Sequence, residues 1–169
     1  LADACIEKAR DKGFTAVYAR GITTHPYSQK ALLNFKMQEC AICLSSGPER
    51  EYKGIEGKPQ RESVVLHLIY IHPPKQLTIY PPARHRQMIE EIYRQQGIEP
   101  VLKTIPEEIP FELNESLIDI LAEPHNQVGK ISIISYGKDI AMEVQDQLKS
   151  LCIDRMETIY LYLRLNDPH

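Results

Sequence analysis

Two rhythms of apolar positions run along the chain, one helical and one alternating. Leu1, Cys5 and Ala9 recur four apart, with Ala2 and Ile6 beside them, which predicts a helix over 1–12 closed by Gly13. Residues 15–22 are rich in strand formers and partly alternate, so they read as a strand that Thr23-Thr24-His25-Pro26 interrupts. Ala31, Leu32 and Phe35 form a stripe that predicts a helix over 27–37, and 39–45 reads as a strand. From 47 to 61 the chain is polar, holds Gly47, Pro48, Gly54, Gly57 and Pro59, and reads as a long mobile loop. The run from Ser63 to Ile71 is nearly continuous in apolar and β-branched residues, which predicts a strand covered on both faces and central in its sheet.

The second half repeats this alternation. An extended stretch at 77–80 leads into Pro81-Pro82 and a helix over 83–96, with Met88, Ile89, Ile92 and Tyr93 inward and Gly97 as the stop. A short strand at 101–105 precedes a proline-flanked linker over 105–110. Residues 116–122 and 130–135 read as paired strands joined by a bend at Glu123-Pro-His-Asn-Gln127. A helix over 138–151 and a strand over 157–165 follow, with Tyr160 and Tyr162 on one face and Leu161, Leu163 and Leu165 on the other. Interleaved helices and strands without a fixed-period repeat argue for an α/β (α+β) fold: a mixed, mostly antiparallel sheet flanked by helices. The halves 1–75 and 76–169 are alike in coarse pattern and read as two domains.

Composition narrows the classes. With 169 residues, 43% of them hydrophobic, the chain can bury one core or two small ones. A formal net charge of -3 makes it a poor nucleic-acid binder. No apolar run approaches the ~18 residues of a membrane span, and residues 1–25 lack the basic start and apolar core of a signal peptide. Cys40-Ala-Ile-Cys43 has the C-x-x-C spacing, but a strand there sends the two thiols to opposite faces, so reduced cysteines without zinc are expected. These features together lead to the expectation of a cytoplasmic protein with neither a nucleic acid nor a membrane as partner. The first residue is Leu1 rather than Met, which leads to the expectation that the sequence is a piece of a longer protein.

Chemistry-bearing residues concentrate at one junction. His25, Ser28 and Gln29 stand where a strand meets a helix, a place where α/β proteins line ligand clefts; the alternative is that Ser28 and Gln29 cap the helix and His25 is solvated. His67 in its apolar strand reads as a satisfied core or cross-strand histidine. His72, His85 and His125 lack ligand spacing, and Arg84, His85 and Arg86 read as a solvated helix face. Asp3, Glu7 and Asp11 lie opposite the apolar stripe of their helix and so face solvent.

The helix 1–12, the strand Thr15-Ala-Val-Tyr-Ala-Arg20, the run Thr24-His25-Pro-Tyr-Ser28-Gln29-Lys30 and Met37-Gln-Glu-Cys40 together carry a resemblance. They resemble the C-terminal half of a GNAT-type N-acetyltransferase, in which helix, strand, helix, strand and strand follow the phosphate loop. The His-x-x-Ser-Gln-Lys run is similar to a signature that opens the third of these elements in one group of the family. The resemblance implies acetyl-CoA or coenzyme A as cofactor, held in a pantetheine groove near Arg20, Thr24, His25, Ser28 and Gln29. It also places the glycine-rich phosphate loop before Leu1 and puts Leu32 at the position of the family's acid, a tyrosine. The expectation is an acyl-CoA-dependent N-acyltransferase-type protein whose isolated chain binds coenzyme A weakly or not at all and is not catalytic; any activity would be N-acetyl transfer from acetyl-CoA.

Residues 76–169 resemble a second, degenerate module of the same kind. Its strand-to-helix loop, Tyr136-Gly-Lys-Asp139, holds one glycine where a phosphate cradle holds several. Paired modules of this sort follow an anti-sigma-type ATPase domain in larger bacterial proteins. That gives a second expectation, a non-catalytic sensory or protein-interaction module of a bacterial regulatory protein, with a protein partner or a fused upstream regulatory domain.

Overall fold

The structure, a computed structural model, describes residues 2–51, 59–106 and 109–168. It is of mixed α and β class. The chain packs as two compact units, Leu1–Ser45 with Glu62–Thr104, and Ser46–Arg61 with Ile105–His169.

In the first unit, helix α1 (Ala2–Asp11) stops at Gly13, whose φ of +72° is left-handed and costs glycine little. The amides of Gly13 and Phe14 return to the carbonyls of Arg10 and Ala9, both at 3.0 Å, and so close the helix. Strand β1 (Ala16–Ile22) leads to helix α2 (Tyr27–Asn34) and then to strand β2 (Gln38–Cys43). The apolar stripe leads to the expectation of a longer α2. Instead Lys36 turns left-handed at φ 60°, and the Met37 amide donates back to Leu32 at 3.2 Å, which tucks Met37 into the core.

Strand β3 (Glu49–Arg50) and strand β4 (Gln60–Arg61) pair antiparallel and belong to the second unit. The segment expected to be one unstructured loop is therefore pinned at both ends; residues 52–58 lie outside the described residues. Strand β5 (Val64–Tyr70) has no exposed position and takes the middle of the order β1-β5-β2, antiparallel to both neighbours, as its uninterrupted apolar run requires. Strand β6 (Thr78–Ile79), a 3-10 turn (Ala83–His85), helix α3 (Arg86–Gln95) and strand β7 (Val101–Leu102) complete the first unit. The β6–β7 ladder is parallel and two residues long. Pro81 and Pro82 after it and Pro100 before its second strand lack the amides that would extend it. Gly97, at φ +74°, ends α3 as Gly13 ends α1.

In the second unit, strand β8 (Leu117–Glu123) forms a hairpin with strand β9 (Val128–Ser135), and Gln127 supplies the turn at φ 53°. Helix α4 (Ile140–Ile153) then crosses over to strand β10 (Thr158–Tyr162), parallel to β9, giving the order β10-β9-β8. Ile131, Leu151 and Met156 form the core, with Ile118 and Ile159 against it. Gly129 admits Leu151: a Cβ there would stand 2.9 Å from Leu151 Cδ1. Tyr160 and Tyr162 do share a face, with ring centroids 6.4 Å apart.

The mixed, mostly antiparallel strand pairing expected is present, and among the described residues it is divided into two sheets of three strands and two of two. No helix of the described residues is long and apolar enough to cross a membrane.

Candidate functional site

The strand-to-helix junction of the first unit is built around the last residue of β1. In the order β1-β5-β2, β1 is an edge strand with one side open. The first turn of α2 closes that side at Ile22: its amide donates to Ser28 Oγ at 3.1 Å, and Gln29 Nε2 donates to its carbonyl at 2.9 Å. Ser28 and Gln29 therefore do not cap α2, whose N-cap is Pro26 and which has no side-chain cap bond. They fasten the helix to the strand. The next turn is fastened from the other direction, because Thr23 donates through both its amide and its Oγ1 to the Ser63 carbonyl, at 3.0 and 2.9 Å.

Among the remaining residues expected at this junction, His25 is half-buried, with its ring centroid 5.4 Å from that of Tyr27 and its Nδ1 buried without a partner. Thr24 and Arg20 are exposed. Arg20 lies next to Gly21 in β1 and so on the opposite face of the sheet. The junction brings Ser28 and Gln29 together on Ile22, sets His25 against Tyr27, and leaves Arg20 and Thr24 outside that cluster.

Gly21 connects the junction to the interior. A Cβ at Gly21 would lie 3.0 Å from Gln29 Cγ and 3.2 Å from His67 Cε1, so a methyl group there would press on both side chains. His67 is wholly buried. Ala19, His67 and Glu39 are cross-strand partners in three adjacent strands and share one face. His67 Nδ1 meets the Val65 carbonyl at 3.2 Å, and since a carbonyl only accepts, Nδ1 carries the hydrogen. Nε2 is left with a lone pair and no hydrogen-bond partner, 4.0 Å from Glu39 Oε1. The expectation of a satisfied histidine is met on one nitrogen only. This grouping is invisible in the sequence because it depends on the order of three strands drawn from separate stretches.

The other face of the same sheet holds a second grouping. The register of β2 against β5 slips between Glu39 and Ala41, so Cys40 is an extra residue in a bulge. Ala41 and Cys43 then oppose Leu66 and Val64, and Cys40 donates from Sγ to the Leu66 carbonyl at 3.4 Å. The slip cancels the simple alternation that would send Cys40 and Cys43 to opposite faces, and Cys43 stands within electrostatic reach of Cys40. Burial, and then the neighbouring Cys43, raise the Cys40 thiol above its ordinary range. Burial followed by Cys40 raises the Tyr70 phenol, and burial followed by Tyr70 raises that of Tyr93. The thiol is held protonated, which suits neither a nucleophile nor a metal ligand. All four cysteines are free.

In the second unit, the loop leading into α4 is sealed by its own chain. The Gly137 amide donates to Ser116 Oγ at 2.8 Å, and the Lys138 amide to the Leu113 carbonyl at 3.2 Å. Asp139 Oδ1 accepts from both the amide and the hydroxyl of Ser116, at 2.8 and 2.7 Å. Two loop amides are thus spent on internal partners, and the Asp139 carboxylate in the same loop is turned to Ser116. Arg84 is exposed, whereas Arg86, expected in solvent, donates from Nη2 to the Leu102 carbonyl at 3.0 Å. Asp3, Glu7 and Asp11 are exposed, and no group of three or more metal-ligating side chains occurs among the described residues. No family model matches the chain, and neither a curated protein nor a solved structure matches it.

Proposed function

We propose that the chain is part of a GNAT-like, acyl-CoA-dependent N-acyltransferase-type protein and does not catalyse acyl transfer by itself. The observation that supports this reading most is the order of elements of the first unit over 2–70, helix, strand, helix, strand and strand, once the two-residue strands β3 and β4 of the second unit are set aside, with the His25–Lys30 run at the start of the second helix. That is the order the resemblance in sequence implies. Coenzyme A, or acetyl-CoA, is the ligand this reading names, with Arg20, Thr24, His25, Ser28 and Gln29 as its residues.

Two observations support the non-catalytic part. Leu32, on the position of the family's acid, has no proton to give. The glycine-bearing loop before α4, the place in the second half where a pyrophosphate would be cradled, is closed by Ser116 and Asp139. The same sealed loop favours a second reading, a sensory or protein-interaction module that keeps the fold without using the cofactor.

Isothermal titration of coenzyme A into the chain, with an acetyl-transfer assay beside it, tests both. Binding at about millimolar affinity or weaker, without turnover, is expected, because each missing charge-assisted hydrogen bond to the pyrophosphate removes roughly 1.5–3 kcal/mol. Turnover would overturn the non-catalytic reading. Retention of weak binding on substitution of Ser28 and Gln29 together would remove the proposed groove.

A further inference from the structure

We propose that His67 and Glu39 form a proton-operated latch between the middle and edge strands of the first sheet. The inference is independent of coenzyme A. In its neutral form, with the hydrogen on Nδ1, the buried imidazole turns a bare lone pair toward a carboxylate 4.0 Å away. Two acceptors face each other and neither is satisfied by the other. One proton on Nε2 converts this into a donor aimed at an anion, and the separation then has about 1 Å to close before it reaches a charge-assisted hydrogen bond of ~2.8 Å. The ring is hemmed in by Gly21 on one side and tied to Val65 O, while the Glu39 side chain is 50% exposed and free to move. Glu39 is therefore the part that swings, and it draws the start of β2 onto β5.

Among the described residues, Glu39 is the titratable group that faces Nε2 from the packed elements. Strand β1 presents Ala19 and Gly21 there, and α2 presents Gln29. Arg20 and Cys40 belong to the other face of the sheet. Helix α1 turns Asp3, Glu7, Lys8, Arg10 and Asp11 to solvent, and Lys30 of α2 is also exposed.

The test is a nitrogen-correlated NMR titration of the full chain, wild type and Glu39→Gln, with the Glu39 carboxyl carbon followed in the same samples. The expected result is an Nδ1–H tautomer at the alkaline end, then proton uptake at Nε2 while the amide spectrum remains folded. The Glu39 carboxyl carbon should shift in the same step. In Glu39→Gln, which keeps the shape and loses the charge, the backbone amides at the start of β2 should no longer shift with the His67 step. An Nε2–H tautomer, unfolding before any uptake, or a Glu39 carbon that ignores the His67 step would each overturn the latch. Amides of β2 that still shift with His67 in Glu39→Gln would do the same. The wild-type carbon titration reads the coupling without any substitution.

Discussion

Cys40, Tyr70 and Tyr93 share a consequence of burial that appears only in alkali. Their folded values are raised above the ordinary 9.0 of a thiol and 10.0 of a phenol. Between those values and the raised ones, the unfolded chain binds fewer protons than the folded one. Stability therefore falls as pH rises through that window and is untouched below it. The denaturation midpoint of the first unit should decline with pH from about 9 upward, and Cys40→Ala with Tyr70→Phe should flatten the decline. A midpoint equally steep in the double variant would assign the decline to other groups. The same environment orders thiol reactivity: Cys5 and Cys152, which are exposed, should be alkylated before Cys40, as peptide mass spectrometry over time can follow. Gly137 is a residue-scale case of a different kind. A Cβ there would stand 2.4 Å from the Glu115 carbonyl carbon and 2.7 Å from Ser116 N, which are backbone atoms with no rotamer to yield. Gly137→Ala should cost the second unit about 3 kcal/mol, against about 1 kcal/mol for Gly129→Ala, whose Cβ meets only the tip of Leu151. Chemical denaturation of both variants checks the ranking.

At the scale of elements, what the sequence made legible was whatever depends on a local period. The helical spacings of α1 and α3, the glycines that stop them and the covered run of β5 were all readable, because each is decided within a few residues. The Cys40 bulge was not, since an extra residue in β2 is defined only against its partner strand. Nor was the Ala19–His67–Glu39 row, and of the junction only the grouping of Ser28 with Gln29 could be read ahead, not their attachment to Ile22. Helix α4 begins two residues later than its pattern suggests, at Ile140 rather than 138, because Lys138 and Asp139 are engaged by Leu113 and Ser116. Its inward anchor is Leu151, 3% exposed against Ile131. Leu151→Ala should destabilise the second unit by about 2–5 kcal/mol, toward the upper part of that range because Gly129 opposite has no side chain with which to refill the space. A midpoint shift below about 1 kcal/mol would mean that the helix does not carry this core.

For the whole molecule, the order in which the chain visits its units matters more than the length of either. The segment Ser46–Arg61 leaves the first unit between β2 and β5, belongs to the second, and then returns. Arg61 is its fastening. The side chain is 11% exposed and donates to Gln127 Oε1 at 3.2 Å, to the Asn126 carbonyl at 2.8 Å and to Glu157 Oε2 at 3.1 Å. Gln127 Nε2 in turn donates to Glu157 Oε1 at 3.1 Å. Glu157 is half in water, so the ion pair alone contributes less than about 1 kcal/mol. The bonds to the turn residues Asn126 and Gln127 add to it, and Arg61→Lys, which loses the fork, should behave nearly as Arg61→Ala does. A specific-protease site inserted between Thr104 and Ile105 would cut the chain where it passes for the last time from the first unit to the second. The piece 1–104 keeps the 46–61 segment, so the two pieces should remain together on gel filtration after cleavage. In the Arg61→Ala background they should separate, with the dissociation constant raised at least about tenfold. Separation of the cleaved pieces without the Arg61 substitution would show that the segment does not bind the rest of the second unit, and co-elution unchanged by Arg61→Ala would show that the arginine is not what fastens it.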